Sequence, residues 1–230
     1  MGFSKLLRDI YQESARPKAG SSFASVDREE LQTHLAISRY GRFELTDAIR
    51  PSYDLRIVPE EGFRHDVYVD KASGVSIPVV MGSVTKERLL ETFFDLLDRL
   101  GSVVDVVLES SHRNRRTGHK DYLREEMDLP VLKSVLYDFD DILLNDGCTG
   151  IAVLNPNIPH EVQFDEHKLL LIYGDDTASS ERAFERHRVS NRESIRFLTE
   201  AEHVHSSKES YRRRFDELRT ALGMDYDESY

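Results

Sequence analysis

The sequence has no tryptophan, a single cysteine and no long apolar run. A lone cysteine, Cys148, cannot form an intramolecular disulfide, which favours a reducing compartment. No segment approaches the roughly 20 apolar residues that a membrane-spanning helix needs. The N-terminus lacks the apolar core of a secretory signal, because Asp9 and Glu13 interrupt it. These absences predict a cytoplasmic protein that does not associate with membranes.

The short motifs of several enzyme classes are absent as well. The chain contains no Gly-x-Ser-x-Gly elbow, no dinucleotide-binding glycine pattern, no P-loop, no Cys-x-x-Cys pair and no zinc-protease helix motif. Its formal net charge is −11, which repels nucleic-acid phosphates at long range. The sequence therefore argues against general nucleic-acid binding and shows no complete catalytic signature.

What is present is enough to fold. Apolar residues make up 39% of the 230 residues and charged residues 32%, which excludes global disorder and allows one large domain. We predict a helical arm and linker over residues 1–60, an α+β core domain over 61–223 and a frayed acidic tail over 224–230. The arm begins with an amphipathic helix over residues 3–14, which could mediate homo-oligomerisation.

The core predicts alternating hairpins and helices. β-branched runs at 66–70 and 75–81 indicate a hairpin, with Pro78 favouring an edge position or a bulge in its second strand. The predicted helices lie at 83–100, at 128–145, at 180–187 and at 206–222. The other predicted strands lie at 103–108, in the interior of the sheet, at 149–154, at 161–164, at 169–173 and at 195–198. Residues 109–128 are interpreted as a polar connection.

These elements predict an α+β fold. Two hairpins plus inserted strands would form a mixed, largely antiparallel sheet, with helices packed mainly on one face. The order of elements lacks the regular strand–helix alternation of a doubly wound nucleotide-binding fold.

The first polar cluster is the sequence Glu-Ala-Glu-His-Val-His over residues 200–205. In an extended chain, His203 and His205 point to the same side. Two such imidazoles can share a divalent metal ion, and Glu202 or Glu200 could complete the site. The alternative is a polar connection that precedes the last helix.

The second cluster is a basic segment over residues 113–120. Arg113, Arg115, Arg116 and Lys120 stand out in an acidic protein and follow a buried strand. Guanidinium groups donate in pairs to phosphate or carboxylate, so an anionic ligand is one hypothesis. The alternative is a solvated loop whose basic side chains pair with nearby carboxylates.

The third cluster lies at the tip of the second hairpin, over residues 165–168. His167 would lie there, and the hairpin could bring His160 near it. A carboxylate–histidine pair could act in acid–base catalysis. The alternative is that these residues are solvent-exposed and have no catalytic role, as is usual at a hairpin tip.

Function is predicted only in outline. The leading hypothesis is a non-enzymatic binding, regulatory or protein-interaction module, because the core pattern is complete and no catalytic set is. The alternatives are a metal-dependent enzyme that uses His203 and His205, and a protein that binds a phosphate-bearing ligand through residues 113–120.

Overall fold

A computed structural model describes residues 20–69, 74–112 and 119–224. The helices in these ranges are α1 (Arg28–Ala36), α2 (Lys86–Leu97), α3 (Leu129–Tyr137), α4 (Asp140–Asn145), α5 (Thr177–Arg186) and α6 (Glu209–Ala221). The strands are β1 (Arg39–Tyr40), β2 (Phe43–Glu44), β3 (Ile49–Pro51), β4 (Gly62–Val69), β5 (Ser76–Ser83), β6 (Val103–Ser110), β7 (Lys120–Asp128), β8 (Thr149–Leu154), β9 (Glu161–Phe164), β10 (Leu169–Tyr173) and β11 (His203–His205).

The main sheet has seven of these strands in the order β4-β5-β10-β9-β8-β6-β7. Every neighbouring pair in it is antiparallel, and β4–β5 and β9–β10 are the two predicted hairpins. Two small sheets, β1–β2 and β3–β11, complete the described strands. The predicted α+β class and the largely antiparallel sheet are therefore confirmed.

Helices cover one face of the main sheet. Alternate residues of the strands, such as Val106 on β6 and Val153 on β8, enter one apolar core with the inner side chains of the helices. Helix α2 contributes Leu89, Phe93 and other residues at helical spacing, so its wide apolar face packs against the sheet. No helix among the described residues is both long and apolar enough to cross a bilayer.

The other face of the sheet has a different character. Its apolar part, on β5 and β10, includes Val79, Leu169 and Leu171 and is partly covered by Ile195 and Phe197. Its polar part carries Glu109 on β6 and the pair Glu161 and Gln163 on β9. Side chains on a strand alternate between faces, so these polar residues lie opposite the helical core.

The sheet β3–β11 pairs a strand from the first quarter of the chain with a strand near its C-terminal helix. Ile49 pairs with His205 and Pro51 with His203. Ile49 also belongs to a small apolar cluster with Leu45 and Leu198. The predicted arm helix over residues 3–14 lies outside the described residues, so it stays a prediction.

Three local predictions are wrong. The polar connection at 109–128 contains strand β7, whose charged side chains are tolerated because β7 is an edge strand. The predicted helix over 128–145 is broken between α3 and α4. Residues 195–198 form no strand: Ile195 and Phe197 are buried there, and a 3-10 turn, Leu198–Glu200, follows.

Pro78 also departs from its predicted edge position. Strand β5 lies between β4 and β10, in the interior of the sheet. The carbonyl of Pro78 accepts from Gly174 N at 3.1 Å, just beyond the last paired residue of β10. The N–H and C=O of one strand residue point the same way, so the N–H that proline lacks falls where the ladder ends.

Candidate metal centre

Three histidines converge on one point of the structure. His203 and His205 come from β11, and His167 comes from the turn between β9 and β10. The ring centroids of His167 lie 5.0 Å from His203 and 4.7 Å from His205, and those of His203 and His205 are 5.0 Å apart. One ring nitrogen of each residue lies within 4.8 Å of the other two.

The extended backbone of β11 positions two of these rings. Pairing with β3 keeps residues 203–205 extended, so His203 and His205 share a side and Val204 faces away. Both side chains are partly buried rather than solvated. The structure thus places this pair on one face, as the sequence pattern predicted.

A tight turn positions the third ring. Asp165 N donates to Leu169 O at 3.1 Å, and Lys168 N donates to Asp165 O at 3.0 Å. The Asp165 carboxylate accepts from Leu169 N at 2.8 Å, which fixes the side chain against the turn. Asp165 and Lys168 are buried, so the prediction of an exposed hairpin tip is wrong. Phe197 and Leu198 line a small pocket together with the tip, and Lys168 Nζ donates to Thr149 O on β8 at 2.9 Å.

Each of the three Nδ1 atoms already has an acceptor. His167 Nδ1 lies 2.8 Å from Asp165 Oδ2, His203 Nδ1 lies 2.8 Å from Ala201 O, and His205 Nδ1 lies 2.7 Å from Gly147 O. Carbonyl and carboxylate oxygens only accept, so every Nδ1 carries the hydrogen. The lone pair of each neutral ring is therefore on Nε2, which is how metal-binding histidines are oriented in proteins.

Burial keeps two of the rings neutral. Burial and the neighbouring His167 lower the pKa of His203 to about 4, and the same two causes lower the pKa of His205. Burial also lowers the pKa of His167, but the Asp165 carboxylate outweighs it and leaves that pKa above its ordinary value. Neutral imidazole is the form that binds metal, so His203 and His205 need not lose a proton before a metal ion binds at neutral pH.

The cluster borders a cleft of about 530 Å³. Its floor is the apolar part of the second sheet face, with Val79, Leu169 and Leu171. Glu166 lines the cleft beside the histidines; Ser111 Oγ donates to its Oε2 at 2.7 Å. His119 Nε2 lies 3.7 Å from the other oxygen of Glu166. The cleft thus offers an apolar surface next to a carboxylate and three imidazoles.

The charge of the lining is mainly negative. Among the lining residues that the structure describes, Asp66, Asp165, Glu166 and Glu200 contribute carboxylates and Arg64 contributes a guanidinium. Arg64 Nη1 donates to Ile195 O at 2.7 Å and to Glu200 Oε1 at 2.8 Å, so its guanidinium is already paired with a carboxylate. The described part of this lining therefore favours cations over anionic ligands.

Other residues predicted for this chemistry lie elsewhere. Glu202 is outside the three-histidine group, because its carboxylate accepts from Ser22 N at 2.7 Å and from Ser22 Oγ at 2.6 Å. The prediction that His160 approaches His167 is wrong. The strand register places His160 beside Gly174, at the opposite end of the β9–β10 hairpin from the turn.

The predicted anion site is only partly described. Arg113, Arg115 and Arg116 lie outside the described residues. Lys120 begins β7, and its Nζ lies 4.7 Å from the centre of the Tyr122 ring. Anion binding by this segment stays a prediction.

Sequence reasoning missed the partnership of His167 with the other two histidines. The hairpin was predicted, and His167 was correctly expected at its tip. Nothing local indicates that β11 comes to lie against that tip, because the contact depends on the pairing of β11 with β3.

Comparisons with known proteins add no functional information. No family model matches the chain, and no curated protein or solved structure matches it significantly. The functional conclusion therefore depends on the arrangement of these residues alone.

Proposed function

We propose that this protein is a metal-dependent hydrolase whose ion is held by Nε2 of His167, His203 and His205. One observation carries the proposal: all three Nδ1 atoms lie at hydrogen-bond distance from acceptors, and one ring nitrogen of each histidine lies within 4.8 Å of the other two beside an open cleft. A chance cluster of histidines has no reason to have every ring oriented in this way.

The ligand set suits a zinc-class ion. Imidazole nitrogen is a preferred ligand of zinc, iron, copper and nickel. Three protein ligands with a fourth position open to solvent are typical of catalytic zinc sites, whereas structural sites are closed by four protein ligands. When bound, such an ion supplies Lewis-acid activation of water near neutral pH.

The cleft favours a neutral substrate with an apolar part. Among the described lining residues, carboxylates outnumber the already paired Arg64, which favours an uncharged ligand over a phosphate ester at this part of the cleft. The apolar floor of Val79, Leu169 and Leu171 fits an alkyl or aromatic group. These properties support an uncharged acyl compound, such as an ester, as the substrate class.

Glu166 is the candidate general base. Its carboxylate lines the cleft, and its negative charge raises the pKa of His167 and counteracts the lowering of the pKa of His205. The water oxygen adds to the acyl carbon while Glu166 accepts the water proton. The acyl–oxygen bond then breaks, and the proton passes from Glu166 to the departing alcohol.

Hydrolysis of 4-nitrophenyl acetate tests this assignment. We expect turnover by the zinc-loaded chain, loss of turnover after chelation and recovery when zinc is restored. Glu166→Gln is expected to reduce kcat of the zinc-saturated protein about a hundredfold, since a positioned base contributes about that much or more. Asp98→Asn, an exposed carboxylate outside the cleft that pairs with Lys133, is the control and should retain turnover.

The outcomes separate the competing functions. Tight zinc binding without hydrolysis of this ester, or of longer acyl esters, would contradict the hydrolase assignment and favour a non-enzymatic metal-binding or regulatory protein. Failure to bind zinc, cobalt or iron at all would remove the metal centre itself.

Asp165→Asn tests whether the Asp165 carboxylate orients the ligand His167. The carboxylate holds His167 Nδ1 at 2.8 Å, and the amide of asparagine is uncharged, so it holds the ring less firmly. We expect zinc affinity to fall about 10- to 100-fold, as is typical when a residue that orients a ligand is changed. Asp98→Asn, an exposed carboxylate that pairs with Lys133, should leave zinc affinity unchanged. Equal affinities in both variants would show that Asp165 does not orient His167.

A further inference from the structure

A second cluster of ligand-type side chains lies behind the three histidines. His112 follows β6, and Asp146 and Cys148 lie between α4 and β8. A ring nitrogen of His112, a carboxylate oxygen of Asp146 and the sulfur of Cys148 lie within 4.8 Å of one another. This cluster has no part in the hydrolase site proposed above.

Two buried atoms of the cluster have no hydrogen-bond partner within the described part of the chain. These are Nε2 of His112 and Oδ1 of Asp146. The His112 side chain is only 6% exposed and that of Asp146 is fully buried. His112 Nε2 lies 2.9 Å from Asp146 Oδ2, and the side chain of Ser207 also contacts the Asp146 carboxylate. Buried polar atoms in native proteins are nearly always paired, so an atom without a well-formed hydrogen bond is consistent with a missing partner.

The remaining polar atoms of the two residues are already engaged. His112 Nδ1 lies 2.9 Å from Ser110 Oγ. Thr149 Oγ1 donates to Asp146 Oδ2 at 2.5 Å. The Cys148 sulfur is in hydrogen-bond contact with the side chains of Ser111 and Ser207. It forms a group with a ring nitrogen of His112 and a carboxylate oxygen of Asp146. Nitrogen, oxygen and sulfur donors at this spacing are the ligand types of a zinc-class ion.

We propose that His112, Asp146 and Cys148 form a second metal site for a zinc-class divalent ion. The Asp146 carboxylate and a Cys148 thiolate together balance the two positive charges of such an ion. The thiol loses its proton when the ion binds, as every cysteine ligand does. The positive charge of Lys168 also acts on Asp146 and Cys148, so the ion competes with this amine.

The second site is connected to the first through Gly147. The Gly147 carbonyl, between Asp146 and Cys148, accepts from His205 Nδ1 at 2.7 Å, and Gly147 N donates to Ser206 O at 2.8 Å. A Cβ atom on Gly147 would lie 2.4 Å from the Ala48 carbonyl oxygen, so the segment is tightly enclosed. An ion held by the residues on both sides of Gly147 would fix the carbonyl that orients His205.

Cobalt titration of the full chain tests the second site. Cys148 is the only cysteine, so a thiolate-to-cobalt charge-transfer band in the near ultraviolet can arise only there. We expect two cobalt ions per chain together with this band. Cys148→Ser should abolish the band and one equivalent, whereas His205→Ala should keep the band and lose the other equivalent.

Failure of this proposal is distinct from failure of the hydrolase proposal. A wild-type chain that binds cobalt without the thiolate band would overturn the second site and leave the three-histidine site standing. A thiolate band that persists in a protein with no second cobalt equivalent would overturn the three-histidine site and leave the second site standing. If Cys148→Ser does not fold, alkylation of the wild-type thiol decides: zinc should slow it at least tenfold, and an unchanged rate contradicts the proposal.

Discussion

The His205→Ala variant is expected to bind zinc several hundredfold more weakly than the wild-type chain. Complete zinc sites contribute about 10–16 kcal/mol of binding free energy, so one ligand carries roughly 3–4 kcal/mol. His205 is suited to this share because its Nδ1 is already held by the Gly147 carbonyl at 2.7 Å. Little ordering of the ring is then required when the ion binds. Hydrolysis that depends on the ion should disappear with it.

Competition with a chromophoric chelator measures the affinity directly. His160→Ala is the matched control, because His160 is also a buried histidine but lies at the far end of the β9–β10 hairpin. It should retain wild-type zinc affinity even where it lowers stability. If both variants bind zinc as the wild type does, the three-histidine centre does not exist. If both lose zinc equally, the effect is on folding rather than on coordination.

The Glu109→Gln variant is expected to be more stable than the wild type at neutral pH. Burial, together with the charge of Asp121, raises the pKa of Glu109 from its ordinary value of 4.5 to about 8. Glu161, also on the second sheet face, is fully buried, and neither of its carboxylate oxygens has a hydrogen-bond partner among the described residues. Burial and the charge of Glu109 raise the pKa of Glu161 well above its ordinary value.

The sign of the effect follows from the direction of the shift. The folded chain holds the Glu109 proton more tightly than the unfolded chain, so this stabilisation is complete below pH 4.5 and is lost as pH rises toward 8. One pKa unit corresponds to about 1.4 kcal/mol, so the loss at pH 7 is about 3 kcal/mol. Glutamine is never ionised, and its oxygen can still accept from Gln163 Nε2, which lies 3.2 Å from both Glu109 oxygens.

Urea unfolding at pH 4, 7 and 8 measures this effect. The free energy of unfolding of Glu109→Gln should exceed that of the wild type by about 3 kcal/mol at pH 7 and match it at pH 4. Glu125→Gln, on the exposed part of β7, is the control and should follow the wild-type profile. A constant difference between Glu109→Gln and the wild type across this pH range would contradict a raised pKa at Glu109.

The polar face that holds Glu109 and Glu161 illustrates where local pattern misleads. Strand β9 alternates glutamate, valine, glutamine and phenylalanine, a pattern typical of a strand with one solvated face. All four of its residues are buried, in a strand that lies in the middle of a seven-stranded sheet. Alternation predicts which residues share a face, but the surroundings of that face depend on what else packs there.

Strong local signals determined much of the fold. Apolar side chains at helical spacing specify α2, whose buried face is built from Leu89, Phe93 and their neighbours. Runs of β-branched and aromatic residues around short turns specify the hairpins β4–β5 and β9–β10. Weak or charged signals failed: β7 consists largely of polar residues that an edge strand tolerates.

The candidate site divides in the same way. The sequence by itself determined that His203 and His205 share one side of an extended segment, since alternation along a strand is a local property. Only the tertiary structure decided that His167 completes the group and that Glu202 turns away to Ser22. The same holds for the acceptor of His205, the Gly147 carbonyl. These contacts join residues far apart in the chain, and the free energy that forms them comes from the packing of the whole sheet rather than from any local preference.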